Sequence, residues 1–293
     1  MHETGGPQQV WVTSRSTGDH ECRGELMIDD LRSIVTHTLA HEGPNGPNGA
    51  VTQYILAAAE RHLHDGLRSA LGSTSSPGEE TSLLSRLLPL EGFGPDVLDI
   101  SRNNLRRRWA TASDWLDDVI AYALRPGRAD EHARAAVSAA TGMVGRPLGE
   151  LISAVTAGEV AAERDPARFG LAEMIRTMWP DHPAVRSART TLDEYALHWW
   201  VPVYSHILDV YGLALIDGLK IEDFARPLLA LVEHEARAQS PGHAARAIVV
   251  LISGAVIDTR TGSRLTPAEV TAHTPPTLRS RSRGKKLSMT MVE

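Results

Sequence analysis

The densest positive charge in the chain falls between Ser101 and Trp109. Arginine occupies positions 102, 106, 107 and 108, and no acid interrupts them, so these nine residues carry a net charge of +4. A phosphate backbone requires local charge of this kind. Ser101 can cap a helix start and touch a phosphate through its hydroxyl and backbone N–H. Leu105 and Trp109 stand four apart, the spacing that anchors one helix face to a core. Asn103 and Asn104 each offer a donor and an acceptor suited to base edges, while Arg102, Arg106, Arg107 and Arg108 suit phosphates. The same cluster also reads as a solvated helix surface.

A second group is aromatic. His198, Trp199, Trp200, Tyr204 and His206 surround Pro202, which removes a hydrogen bond and should kink any helix it sits in. Aromatic rings with polar tips suit a small-molecule pocket between helices, with Trp179 as a further candidate. They equally suit a packed core with its histidines satisfied or exposed. Other chemistry is thinly represented. His37 and His41 have the i, i+4 spacing of shared metal ligands, but no third ligand follows by pattern, and His62/His64 and His20/Cys22 do no better. Asp117-Asp118 does not extend into a diphosphate-binding acidic motif. The chain has no Gly-rich phosphate loop, no Gly-x-Ser-x-Gly and no arrangement of a catalytic triad. The expectation is therefore a protein with no enzyme activity, metal or cofactor.

These groups need elements to hold them. With 293 residues, 42% of them hydrophobic, the chain has room for two cores. Sparse aromatic and β-branched residues favour helices. Residues 1–24 are polar and aperiodic and read as disordered, with a short strand at Val10–Val12 possible but lacking an obvious partner. Leu26, Leu31, Ile34, Val35 and Leu39 suggest a helix over 25–41, ended by the Gly/Pro/Asn run 43–49. Ile55, Ala59, Leu63 and Leu67 recur every four residues in a helix over 50–71. Helices over 80–88, 101–109 and 111–124 follow, with an irregular stretch at 89–100. Pro126-Gly127 marks a boundary between a helical domain, 25–126, and a helix bundle, 127–258. The bundle's helices fall near 148–155, 167–179, 183–211, 221–238 and 243–257. Residues 259–293 form a basic, mostly disordered tail with one short capped helix at Thr266–Glu269.

The quoted segments resemble the TetR family of transcriptional regulators. Ser101, Leu105, Arg107, Arg108, Trp109 and Leu116 match the recognition helix and the helix after it. Gln53–Gly66 resembles the first helix of the family. Tyr211-Gly212-Leu213 with Asp217–Ala225 resembles a segment of its C-terminal half. The three matches keep the family order and span roughly residues 50–240. Asp99 and Arg106 depart from it, standing where the family has Gly and Tyr. The resemblance implies an all-α fold, with a helix-turn-helix-like N-terminal domain followed by a ligand-binding and dimerising bundle. It implies a homodimeric repressor that binds double-stranded DNA through residues 101–109 and is released by a small apolar or aromatic effector. The alternative is a degenerate homodimer that has lost DNA binding and acts as an interaction or sensor module. The dimer is expected through 221–238 and 243–257.

Residues 1–126 and 127–258 are each net acidic, whereas 259–293 is net basic, so any DNA contact must be local. The single cysteine, Cys22, excludes an internal disulfide and points to a reducing, cytoplasmic setting. No apolar run is long enough to span a bilayer, so no membrane partner is expected.

Overall fold

A computed structural model describes residues 5–71, 80–165, 170–238 and 241–276. The fold is mostly helical, at 62% helix and 11% strand, so all-α holds only in the coarse sense. No described helix is long and apolar enough to cross a membrane. The chain divides into two compact units. One comprises the residues up to Arg125 together with Leu171–Arg189. The other comprises Pro126–Gly170 together with the described residues from Thr190.

The first unit is built around α1, Ala50–Leu71. Ile55, Ala59, Leu63 and Leu67 are fully buried on one face, as their four-residue spacing demands. A β-hairpin, β1 (Gly5–Thr13) and β2 (His20–Ile28), packs on this unit and replaces the expected disorder. Val10 and Val12 point into the core, while Trp11 between them stays exposed and stacks on His20 across the ladder. Alternation of this kind places every second side chain on one sheet face. The partner strand is mostly polar and exposed, and so shows no alternation of its own.

The expected helix over 25–41 does not form: residues 25–28 end β2, and residues 29–49 are irregular. A few turn bonds join their backbone groups, as from the Ile34 and Val35 N–H groups to the Leu31 carbonyl, and several others bond to distant side chains. Leu31 N–H donates to Asn48 Oδ1 (2.8 Å), and Gln53 both accepts from Asp29 N–H and donates to the Asp29 carbonyl. Asp118, fully buried, accepts from the N–H groups of Thr36 (3.0 Å) and His37 (3.2 Å), from His37 Nδ1 (3.0 Å) and from Trp109 Nε1 (2.8 Å). This carboxylate sits on α4, Ala112–Ala123, whose start is fixed by a Thr111/Asp114 capping box. Trp115, Val119 and Ala123 form the buried stripe of α4. Trp109 and Trp115 meet edge-on at 4.6 Å, and Phe93 lies against Trp115. The shorter α2 (Glu80–Leu87) and a π-type turn, Gly94–Leu98, precede a four-residue helix, α3 (Asn103–Arg106). The expected recognition helix over 101–109 is thus a single turn flanked by bends. α7, Gly170–Met178, with Leu171, Ala172 and Ile175 buried, belongs to the same unit.

The second unit gathers α5 (Asp130–Met143), α6 (Leu148–Glu163), most of α8 (Pro183–Tyr211), α9 (Ile221–Ala238) and α10 (His243–Ala255). A small antiparallel pair, β3 (Leu213–Leu215) and β4 (Val256–Asp258), closes one end. Buried Glu235 accepts from Gly242 N–H and Ala244 N–H, supplying the start of α10 with the acceptor it lacks locally. The chain beyond residue 258 is not a free tail as far as residue 276. α11, Pro267–Ala272, begins with a Thr266/Glu269 capping box and packs on α6. A Cβ at Gly149 would lie 2.9 Å from the Thr271 carbonyl, so glycine permits that approach. His273 Nε2 lies 2.8 Å from the Tyr211 carbonyl. The expected disordered basic stretch at 279–286 lies outside the described residues.

Burial pushes the Asp118 carboxyl above its ordinary range, while the bonds from Trp109 and His37 draw it down. The bond to Asp118 raises the His37 pKa above its ordinary 6.5. A histidine whose pKa is raised on folding stabilises the fold fully below its unfolded value. That contribution is lost as pH rises through the folded value. Urea unfolding of the wild-type protein should therefore show stability falling from pH 6 towards about 8, with a flatter profile in His37→Ala. Asp118→Ala, which strands the N–H groups of Thr36, His37 and the Trp109 indole together with His37 Nδ1, should cost about 3 kcal/mol at neutral pH. A loss under about 1 kcal/mol would mean that the carboxylate does not hold this unit together.

Candidate functional site

The apolar stripe of α6 recurs every three or four residues through Leu148, Leu151, Ile152 and Val155. It then continues, at the same spacing, into Glu159 and Glu163. The helix therefore presents one face that is apolar at its start and acidic at its end. That face lines a cavity of about 150 Å³ within the second unit. α8 contributes Trp200, Tyr204 and Ile207, α9 contributes Phe224 and Leu228, and α10 contributes Ile248 and Ile252. Trp200 and Tyr204, four apart on α8, stack with ring centroids 5.5 Å apart and planes 23° from parallel. Phe224 meets Tyr204 edge-on at 6.2 Å. Three carboxylates, Glu159, Glu163 and Glu233, are the charged groups of the lining among the described residues. Burial, and then the charge of Glu159, push the Tyr204 phenol well above its ordinary range, so at neutral pH it keeps its proton.

Of the aromatic candidates, Trp200 and Tyr204 line this cavity. Trp199, between Trp200 and His198, does not. It packs edge-on to Tyr195 and His198, and its buried indole N–H has no hydrogen-bond partner among the described residues. His198 and His206 are exposed. Trp179 is buried in the first unit and so is not part of the cavity. The sequence reading missed Phe224 and the three glutamates. A signal was present for two of them, because Glu159 and Glu163 prolong the α6 stripe at its own spacing.

The arginine segment behaves differently from its sequence-based expectation. Leu105 and Trp109 are fully buried and anchor the segment. Arg108 is buried with them, at 3% exposure. It donates to Thr52 Oγ1 (2.8 Å), the Asn104 carbonyl (2.6 Å) and the Pro44 carbonyl (3.3 Å). Burial, and then repulsion from Arg107, lower its pKa to about 10. This guanidinium is a structural tie, not a phosphate contact. Arg106 is exposed and pairs with Glu91. Asp99 adopts the left-handed region (φ 54°) and accepts from Ser14 Oγ (2.6 Å), Ser16 Oγ (2.6 Å) and Ser16 N–H (3.0 Å), tying the hairpin turn to this segment. Ser101 Oγ accepts from Asn103 N–H at 3.3 Å, a weak cap. Ser101, Arg102, Asn103 and Arg107 are exposed, and Asn104 is half-buried.

His37 and His41 are both exposed, and the nitrogen His37 could offer a metal through Nδ1 is engaged by Asp118. No group of three metal-ligating side chains occurs among the described residues. Compared with protein families, with curated proteins and with solved structures, the chain matches none.

Proposed function

We propose that the chain is a small-molecule sensor whose second unit binds a small apolar or aromatic ligand among α6, α8, α9 and α10. The observation that carries this reading is the cavity of about 150 Å³ floored by the Trp200–Tyr204 stack. An apolar cavity of about that volume accommodates one benzene-sized ring. Its wall comes from four helices, so a ligand that fills it adds contacts to all of them at once. Such a ligand stabilises the folded state by about 2.7 kcal/mol when present at about a hundred times its Kd. In 4-phenylbutan-1-ol, a single ring with a flexible polar arm, the expected results are a change in Trp200 emission and a raised melting temperature. Leu228→Trp fills the space and should abolish both responses while leaving the fold intact by circular dichroism. A wild-type protein that shows neither response at millimolar alcohol contradicts the reading.

A second reading is favoured by one specific observation. Ser101, Arg102, Asn103 and Arg107 are exposed together on a short segment whose anchors, Leu105 and Trp109, are buried. This supports a DNA-binding regulator of the kind the TetR resemblance implies, acting in the cytoplasm as a homodimer and controlled by the ligand. Val250, exposed on α10, is in keeping with a dimer surface there. The acidic charge of the surrounding segments leaves few other sources of phosphate affinity. Under this reading, Arg107→Ala weakens binding to duplex DNA of any sequence and shallows the slope of log affinity against log salt by roughly one. Arg108→Ala should instead destabilise the fold. A wild-type protein without salt-dependent affinity for duplex DNA leaves the ligand-sensor reading standing alone.

A further inference from the structure

The lining of the cavity follows the whole length of α6, from Leu148 to Glu163, a rise of about 22 Å. α8 runs the other way along it, from Ala196 to Leu208, over about 18 Å. Hydrogen bonds fix both ends of that arrangement. His273 joins the start of α6 to the end of α8: its carbonyl accepts from Leu148 N–H (2.8 Å), and its Nε2 lies 2.8 Å from the Tyr211 carbonyl. At the other end the Arg164 guanidinium donates to the carbonyls of Glu235 and Ala236, which brings the end of α6 to the end of α9. A volume of about 150 Å³ drawn out along these helices is a slender space. Its two ends differ. Leu148, Leu208 and Leu213 are buried, and Leu213 belongs to the β3–β4 pair that closes the bundle there. Glu159, Glu163, Ala196, Val232 and Glu233 are half-buried. The space is therefore blind and apolar at one end and opens towards solvent, among polar side chains, at the other.

We propose that the cavity takes an unbranched alkyl chain, inserted tail first, with a small polar head left at the open end. The inference rests on the ligand-sensor reading of the cavity and adds the shape of the ligand to it. The methyl end lies against Leu213. Each methylene behind it buries further surface against the stripes of α6 and α8 and tightens binding about fourfold, until the chain reaches the open end and further methylenes lie in water. A compact ring of the same carbon count meets the walls over only part of their length.

Calorimetry on the full chain tests this with butan-1-ol, hexan-1-ol, octan-1-ol and decan-1-ol, and with cyclooctanol as the compact counterpart of octan-1-ol. Affinity should rise about fourfold per methylene through octan-1-ol and level off towards decan-1-ol. Octan-1-ol should bind at least about tenfold tighter than cyclooctanol. Leu213→Phe, which fills the blind end, should remove the gain from hexan-1-ol to octan-1-ol and leave butan-1-ol unchanged. The wild-type comparison decides the matter even where this variant folds poorly. A rise that stops at butan-1-ol, cyclooctanol binding as tightly as octan-1-ol, or a gain that survives in folded Leu213→Phe overturns the chain inference and leaves the sensor reading intact. A rise that continues undiminished to decan-1-ol also overturns it, because the space then has no blind end. Failure of every alcohol to bind, 4-phenylbutan-1-ol included, overturns both.

Discussion

A carboxylate removed from water is tolerated only where donors replace the lost solvent, because its desolvation is worth several kcal/mol. Asp118 meets that requirement with four donors: the backbone N–H groups of Thr36 and His37, the His37 ring, and the Trp109 indole. The consequence is architectural. Residues 29–49 have little regular structure, and they are held in place by side chains that accept and donate where a helix ladder would otherwise do so. Arg108 extends the same logic with opposite charge, reaching Thr52 on α1 and the Pro44 carbonyl in that irregular stretch. These two buried charges determine which face of the arginine segment points inward and which points to solvent.

The second unit is organised by a different constraint. Its helices bury apolar stripes around a space that the side chains leave unfilled, although protein interiors normally pack to crystal-like density. Voids of this size forfeit dispersion contacts and cost stability, so an apolar occupant has a free-energy reason to enter. The polar groups that border the void are acidic or hydroxylic, and they sit on α6, α8 and α9. Tight local ties surround this space. Glu235 caps α10, and the Tyr211 hydroxyl donates to the Arg146 carbonyl at 2.6 Å, so the walls of the void are fixed by bonds that do not depend on an occupant.

What the sequence disclosed follows from how local each signal is. α1 was legible because its four-residue period and its burial coincide. The Thr266/Glu269 cap was legible because both partners lie within one turn. The hairpin was hidden because β2 is polar along most of its length, so only β1 shows an alternation. Residues 25–41 mimic a helix through Leu31 and Val35, which are both buried. The partners that dictate another conformation, Asn48, Gln53 and Asp118, lie far along the chain. The burial of Arg108 was hidden for the same reason. Trp200 and Tyr204 stood out by residue type and spacing, whereas Glu159 and Glu163 did not, because an acid on a helix carries no mark of what packs opposite it.

The central claim is that the second unit contains an unfilled apolar space built to receive a ligand. Xenon is spherical, uncharged and polarisable, and it enters dry apolar cavities without requiring a hydrogen bond. Crystals of the protein pressurised with xenon should show the atom bound between Trp200, Phe224 and Ile248, with the surrounding helices unmoved. Side chains collapsed into that space, or a chain of ordered water there with no xenon bound, would contradict the account.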